Sequence, residues 1–223
     1  MEKEKIKKLV KSNLFLYKAC KALLHFYYSH GGLDIKNSGV LQATHYVKGK
    51  NNQVIVCKGG VIEKADFHIV GNNNKITFGK NVRISKGCSF QLDGDNIEIT
   101  IGENTSFVYT NHLCAQENGT RIIIGDNCML SNNIIIRTSD SHPIFNQTTG
   151  ERINHAKDVI IGNNVWIAAH ATIMKGVHIG DGSIVGFGSV VTKDVAENTL
   201  VAGIPAREVK KNVCWRFLFN EKI

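Results

Sequence analysis

The sequence predicts a mainly β chain, wound as a coil of short parallel strands into a β-helix. Two features carry that expectation: apolar residues return at every sixth position, and the six-residue blocks group in threes. From Ile161 the chain reads IGNNVW, IAAHAT, IMKGVH, IGDGSI, VGFGSV and VTKDVA. The first position is always aliphatic (Ile161, Ile167, Ile173, Ile179, Val185, Val191), and the fifth is always small or β-branched. An α-helix repeats near 3.6 residues and cannot hold this register. Six is even, so successive aliphatic positions fall on one side of an extended chain. A single strand running through all six blocks would far exceed the usual strand length, so the chain must bend once per block. Gly162-Asn163-Asn164 and Gly180-Asp181-Gly182 supply residues that tolerate positive φ at those bends. Strands that bend the same way wind into a coil with the aliphatic residues inside, and each coil pairs with the next.

The same spacing recurs upstream in triplets: Phe78, Ile84 and Phe90; Ile101, Phe107 and Leu113; Ile124, Leu130 and Ile136. Three blocks per coil imply three faces, a triangular prism. The triplets start 23 residues apart, so each of these coils carries about five residues beyond eighteen. Gly94-Asp95-Asn96 and Asn118-Gly119-Thr120 read as the turns that hold them. Between Ile124 and Ile161 the gap widens to 37 residues, so one long loop, roughly residues 138–158, interrupts the stack. Loops of that length inside a repeat domain are uncommon and usually functional.

Flanking segments complete the expected layout. Residues 1–50 are read as an N-terminal helix and lead-in, residues 51–206 as the β-helix domain, and residues 207–223 as a short helical tail. Ile6, Leu9, Val10, Leu16, Tyr17, Cys20, Leu23, Leu24 and Tyr27 lie at helical spacing. A helix capping the open end of the coil is favoured over contact with a membrane surface. The tail is read as a second cap or a subunit contact.

The net charge of +8 resides at the two ends. Residues 1–21 carry seven lysines against Glu2 and Glu4, and residues 207–223 carry five basic residues against two acidic ones. The body between them is balanced, which argues against a continuous nucleic-acid groove and leaves an acidic small ligand, an anionic glycan, a membrane surface or simple solubility. Six cysteines are scattered with no C-x-x-C pair, which suits reduced thiols in a cytoplasmic protein, with neither disulfide framework nor structural zinc. The start Met1-Glu2-Lys3-Glu4-Lys5 is not followed by a signal-peptide pattern.

The hexads, the loop with Ser141-His142-Pro143, and the stretch from Ile161 to Arg207 ending in VAGIPAR resemble the hexapeptide-repeat acyltransferases. The likeness covers about residues 76–207 and lies nearest the galactoside/maltose acetyltransferases and capsular-polysaccharide O-acetyltransferases. It implies a left-handed parallel β-helix, a homotrimer with active sites between subunits, and acetyl-CoA as donor. The general crossover rule alone would have favoured the right hand. By resemblance, His142 is the catalytic histidine and Trp166 packs in the active site near the acetyl-donor arm. Thr192 and Lys193 match a segment that contacts coenzyme A, and Arg207 a basic residue near its phosphates. Phe187 departs from the small residue the family's pattern has there, so it narrows the pantetheine channel or stacks on adenine.

The chemistry fits these residue types. Acetyl transfer from a thioester to a hydroxyl needs a base, and a histidine with pKa near 6.5 typically supplies roughly 10²–10⁴ in rate. Pro143 biases His142 toward extended backbone. Asp140, Ser139 or a backbone carbonyl is placed to orient the other ring nitrogen. A backbone N–H near Ala169 is the candidate oxyanion donor. Asn111 and His112, on the coil before the long loop, are candidates for holding the sugar. No side chain needs to be acylated, so direct transfer is expected, to a hydroxyl of a cell-surface polysaccharide or its precursor. An amino-sugar N-acetyltransferase and an antibiotic acetyltransferase are the rival enzymes. A zinc enzyme of the γ-carbonic-anhydrase kind is disfavoured, because the only H-x₄-H pair, His25 and His30, lies in the expected N-terminal helix. A non-catalytic scaffold gives no reason for the His-Pro, Thr-Lys-Asp and Gly-Ile-Pro-Ala-Arg motifs to occur together.

Overall fold

Spacing by six becomes vertical alignment in the computed structural model, which describes residues 32–217. Phe78 pairs with Ile101, Ile101 with Ile124, Ile124 with Ile161 and Ile161 with Ile179, all in parallel register. The other two columns align likewise: Ile84, Phe107, Leu130, Ile167, Val185 and Val201, then Phe90, Leu113, Ile136, Ile173 and Val191. These residues are buried and form one continuous core.

Three faces result. The first carries β1 (Leu33–Asn37), β3 (Asn52–Val56), β5 (Lys75–Phe78), β8 (Glu98–Ile101), β11 (Arg121–Ile124), β14 (Val159–Ile161) and β17 (His178–Ile179). The second carries β6 (Arg83–Ile84), β9 (Ser106–Phe107), β12 (Met129–Leu130), β15 (Trp166–Ile167), β18 (Ile184–Val185) and β20 (Thr199–Gly203). The third carries β7 (Ser89–Asp93), β10 (His112–Gln116), β13 (Ile135–Arg137), β16 (Thr172–Ile173) and β19 (Val190–Val191). Near the N-terminal end β2 (Val40–Lys48) and β4 (Val61–Val70) run across the second and third faces without a break. Among the described residues the stack is already present at Leu33, earlier than the hexads show. It is a parallel β-solenoid that fits a left-handed β-helix.

Most corners are turned by a residue with positive φ. The first corner uses Asn81, Asn104, Asn127 and Asn164, and the second uses Gly87, Thr110, Asn133, His170 and Gly188. Asparagine tolerates this conformation better than other side-chain-bearing residues. At the first corner the same carboxamides link the coils, Asn81 donating to Asn104 and Asn104 to Asn127. At the third corner the longer coils spend their extra residues. Strands β7 and β10 extend to five residues, burying Leu92 and Ala115, before the turns at 94–96 and 117–119.

Asn111 does not face a ligand. It is fully buried, its Oδ1 accepts the Ile134 N–H at 2.9 Å, and its amide donates to the Val108 carbonyl. The expected helical tail is corrected too. Residues Ala206–Lys211 form β21, antiparallel to β20, and no helix follows up to residue 217. The edge of β20 would otherwise expose unpaired backbone groups, and a charged final strand covers it. The expected N-terminal helix lies outside the described residues.

The core holds a four-phenylalanine cluster, with Phe90 5.5 Å from Phe67, 5.3 Å from Phe78 and 6.4 Å from Phe107 between ring centroids. Phe90→Ala is expected to cost about 3–5 kcal/mol in urea denaturation, against about 0.5–1.5 kcal/mol for Ile99→Val. Equal losses would mean that the stack collapses around the missing ring.

Candidate active site

The long loop leaves the third face after Arg137 and returns at Val159. It stands where other coils turn their third corner, and its charged residues tie it to both neighbouring coils. Below, Arg152 forms a two-pronged ion pair with Glu117, whose carboxylate also accepts from Ser139 Oγ at 3.0 Å. Ser141 Oγ accepts from Arg137 and donates to Gln116. Above, Lys175 Nζ reaches Asp140 Oδ2 and, at 3.0 Å, the Asn154 carbonyl. Where the loop closes, the Lys157 N–H donates to the Thr138 carbonyl, and Asp158 accepts from the Arg121 N–H and side chain. A short antiparallel contact, Phe145 with Arg152, forms the loop's projecting arm.

His142 lies between these ties. Its side chain is exposed, and among the described residues no hydrogen bond engages its ring. Its backbone is held: Asn154 Nδ2 donates to the His142 carbonyl at 2.8 Å, and Asn154 Oδ1 accepts the Ile144 N–H at 2.6 Å. Asp140 does not spend its carboxylate on the ring. It pairs with Lys175 and accepts from Asn154 at 2.9 Å, and these bonds, the Lys175 one foremost, hold its carboxyl below the usual carboxylate range. Glu117 is held low in the same way, chiefly by Arg152.

The other sequence-chosen residues fall elsewhere. Trp166 projects from the second face, 6.2 Å from the ring of Trp215, whose indole N–H donates to the Asn164 carbonyl at 2.7 Å. Ala169 sits at the second corner. Its N–H has no partner among the described residues, but neither do those of Tyr109 and Asn132 at the same place on earlier coils. Phe187, one coil later, is 72% exposed and packs 5.1 Å from His170. Thr192 is exposed at the third corner of the last coil. Lys193 beside it lines, together with Arg207, a cleft of about 190 Å³ at the C-terminal end of the prism. His112 is half-buried on the outer side of β10, with Nδ1 2.6 Å from Ser89 Oγ. Burial, then the Arg137 charge, pushes its pKa down.

One chain thus links His142 to Asp140 only through Asn154, and sets Lys193 and Arg207 on one cleft, while His142 and Trp166 lie on different sides of the prism. The loop is pinned to the corner between the third and first faces, which lies opposite the second face. Sequence reasoning missed Asn154, Lys175, Glu117 and Arg152. Their partners lie 10 to 35 positions away, a pairing that no local pattern encodes. Among the described residues, no three His, Cys, Asp or Glu side chains converge as metal ligands would.

Comparison with known proteins agrees with this architecture. The family described as bacterial transferase hexapeptide (six repeats) matches residues 158–193, and the hexapeptide repeat of succinyl-transferase matches residues 119–137. A polysialic acid O-acetyltransferase of Neisseria meningitidis is 36% identical over 163 residues, covering 68% of this chain and 71% of that protein. One from Escherichia coli is 40% identical over 94 residues, 42% of this chain and only 31% of that protein. Among solved structures, a polysialic-acid-specific acetyltransferase superposes with TM-score 0.69 at 28% identity, covering 86% of this chain and 92% of that one. An N-acyltransferase of Bacillus cereus, solved as a mutant with dTDP and coenzyme A, gives TM-score 0.53 at 26% identity over 78% of this chain and 85% of that one.

The lowered carboxylates set a pH window for the loop. A carboxylate whose folded pKa is depressed stabilises the fold above its unfolded value, and that contribution is lost as pH falls through the folded one. Unfolded values are about 3.9 for Asp and 4.3 for Glu. The loop is expected to resist protease at neutral pH and to become cleavable in residues 138–158 as the pH drops below about 4. Arg152→Met is expected to be cleaved there already at neutral pH, as mapped by mass spectrometry of the fragments.

Proposed function

The chain belongs to the hexapeptide-repeat acyltransferases, and on that premise we propose that it is an acetyl-CoA-dependent O-acetyltransferase of a saccharide hydroxyl, with His142 as general base. The observation that carries the reading is the loop: the single long interruption of the stack is tied to both neighbouring coils and leaves one exposed imidazole between the ties. The polysialic acid acetyltransferases among the relatives, and the basic ends of this chain, support an anionic cell-surface glycan or its precursor as acceptor.

Acetyl-CoA supplies the activated acyl group when bound. Lys193 and Arg207, which line one cleft together with Asp194 and Glu208, are the candidates for its phosphates, and the coenzyme A complex of the Bacillus cereus N-acyltransferase supports this donor. His142 takes the acceptor's hydroxyl proton as the oxygen attacks, and returns it to the departing thiolate. The Ala169 N–H is the donor for the carbonyl oxygen as it gains charge. The reading uses no cysteine, and three of them are unsuited to the role: Cys88, Cys114 and Cys128 are buried, and burial raises their pKa values, Cys128 to about 11. A thiol so disposed makes a poor nucleophile at neutral pH.

A homotrimer with sites between subunits is part of this reading, and the separation of His142 from Trp166 supports it. His142 belongs to the third corner and Trp166 to the opposite face, so a single acetyl group meets both only if they come from different copies.

Two experiments test this reading. Thiol release from acetyl-CoA across a panel of oligosaccharides, polysialic acid included, is expected to fall roughly 10²–10⁴-fold in His142→Ala. A variant that keeps the full rate with the best acceptor removes His142 from the role of base. Separately, two inactive variants, His142→Ala and Trp166→Ala, are unfolded together and reassembled. Mixed oligomers are expected to regain part of the activity, because some interfaces then carry both native residues. No recovery in assembled mixtures would place both residues of each site in one chain.

A further inference from the structure

We propose that Asn154 is a positioning residue for the base, fixing His142 through its backbone, with Asp140 and Lys175 holding Asn154 in turn. The proposal rests on the reading of His142 as general base. An exposed imidazole with no partner of its own among the described residues takes its position from the chain that carries it. That chain is interrupted by Pro143, which has no N–H to pair. One carboxamide grips it on both sides of the proline: Asn154 Nδ2 donates to the His142 carbonyl at 2.8 Å, and Oδ1 accepts the Ile144 N–H at 2.6 Å. The remaining amide proton is directed to Asp140 Oδ2 at 2.9 Å.

Asn154 is only 8% exposed although it belongs to a loop, so its polar atoms must be satisfied from within. Lys175, from the coil above, binds both Asp140 and the Asn154 carbonyl. The base is thereby referenced to the rigid stack and not to the loop alone. Asparagine is the residue type this arrangement needs. Aspartate would keep the acceptor for Ile144 but set a carboxylate against the His142 carbonyl and Asp140, and leucine would lose every bond. Displacement of a reacting group by about 1 Å can cost roughly 10²-fold, and loss of residues that orient a functional group typically costs 10–100-fold.

The test is a double-mutant cycle, run with acetyl-CoA and the most rapidly acetylated saccharide of the panel above. Asn154→Ala is expected to lower kcat about 10–100-fold while the KM for acetyl-CoA stays within about twofold. In a His142→Ala background the same change is expected to have no further effect, because nothing remains to position. A kcat within about threefold of wild type overturns the proposal. So does an equal loss in both backgrounds, which would mark general damage to the loop. If His142→Ala itself keeps the full rate, the base assignment fails, and that result is distinct from a failure confined to Asn154. Amide exchange at Ile144 gives a readout that needs no acceptor: it is expected to accelerate in Asn154→Ala, which removes the Oδ1 partner of that N–H, and an unchanged rate there overturns the clamp.

Discussion

Parallel pairing of each coil with the next, in strict register, is the constraint on which the rest of this molecule depends. A parallel strand must find its partner through a crossover, and here every crossover is one circuit of the prism. Register is fixed twice over. The backbone bonds align the coils, and the inward columns that begin at Phe78, Ile84 and Phe90 would turn outward if any strand slipped by one residue. The positive-φ corners are part of the same constraint, since a residue that resists this conformation would open the coil where it must turn. The core is accordingly long, thin and continuous, and no residue of it belongs to the chemistry.

An uninterrupted stack offers no long projecting segment, and among the described residues the chain breaks the pattern once at length, in the loop that carries His142. The break falls at the third corner, where earlier coils already carry five extra residues, so the stack tolerates added length there. Lengthening a surface loop costs little closure entropy. The greater difficulty is order, because a free loop would scatter the imidazole over many positions. Glu117 with Arg152 on one side, and Asp140 with Lys175 on the other, convert the loop from a tether into a bracket. Single surface ion pairs contribute little. These are partly buried, and each shares its carboxylate with a second donor, Ser139 or Asn154.

How much of this was legible depended on whether the signal was periodic. Ile161 and its successors announced the coil, and the gap after Ile124 announced the loop to within a residue or two. The N-terminal coils were less visible. Strands β2 and β4 run across a corner without the Gly/Asn turn found on later coils, so the six-residue rhythm blurs before residue 76. The C-terminal strand was misjudged because Ala206–Lys211 is charged and short, and only its pairing with Thr199–Gly203 makes it a strand. Asn111 was misjudged for a related reason. A polar residue beside a histidine invites a ligand, but asparagine in this fold also serves the interior, as Asn52 and Asn74 do in linking successive coils. Asn154 and Lys175 gave no local sign, since their roles exist only once the loop folds back.

The placement of the pieces around the prism has a consequence for how such an enzyme can evolve. The residues assigned to the donor lie on the second face, the second corner and the C-terminal end. The proposed base, His142, lies at the third corner, on a separate insertion whose backbone is held by contacts at that corner. The two halves share no side chain in one protomer, so either can change without disturbing the other's internal bonds. If the site is shared between copies as proposed, the acceptor enters where the halves meet, and its specificity depends on surfaces that a single stack leaves exposed. Tyr109, half exposed under the Lys86 ammonium at 5.6 Å, and Phe187, nearly bare beside His170, are surfaces of this kind. A covering surface that buried them would recover apolar area now left in water, so under the proposed assembly the interface and the completed site would draw on the same free energy.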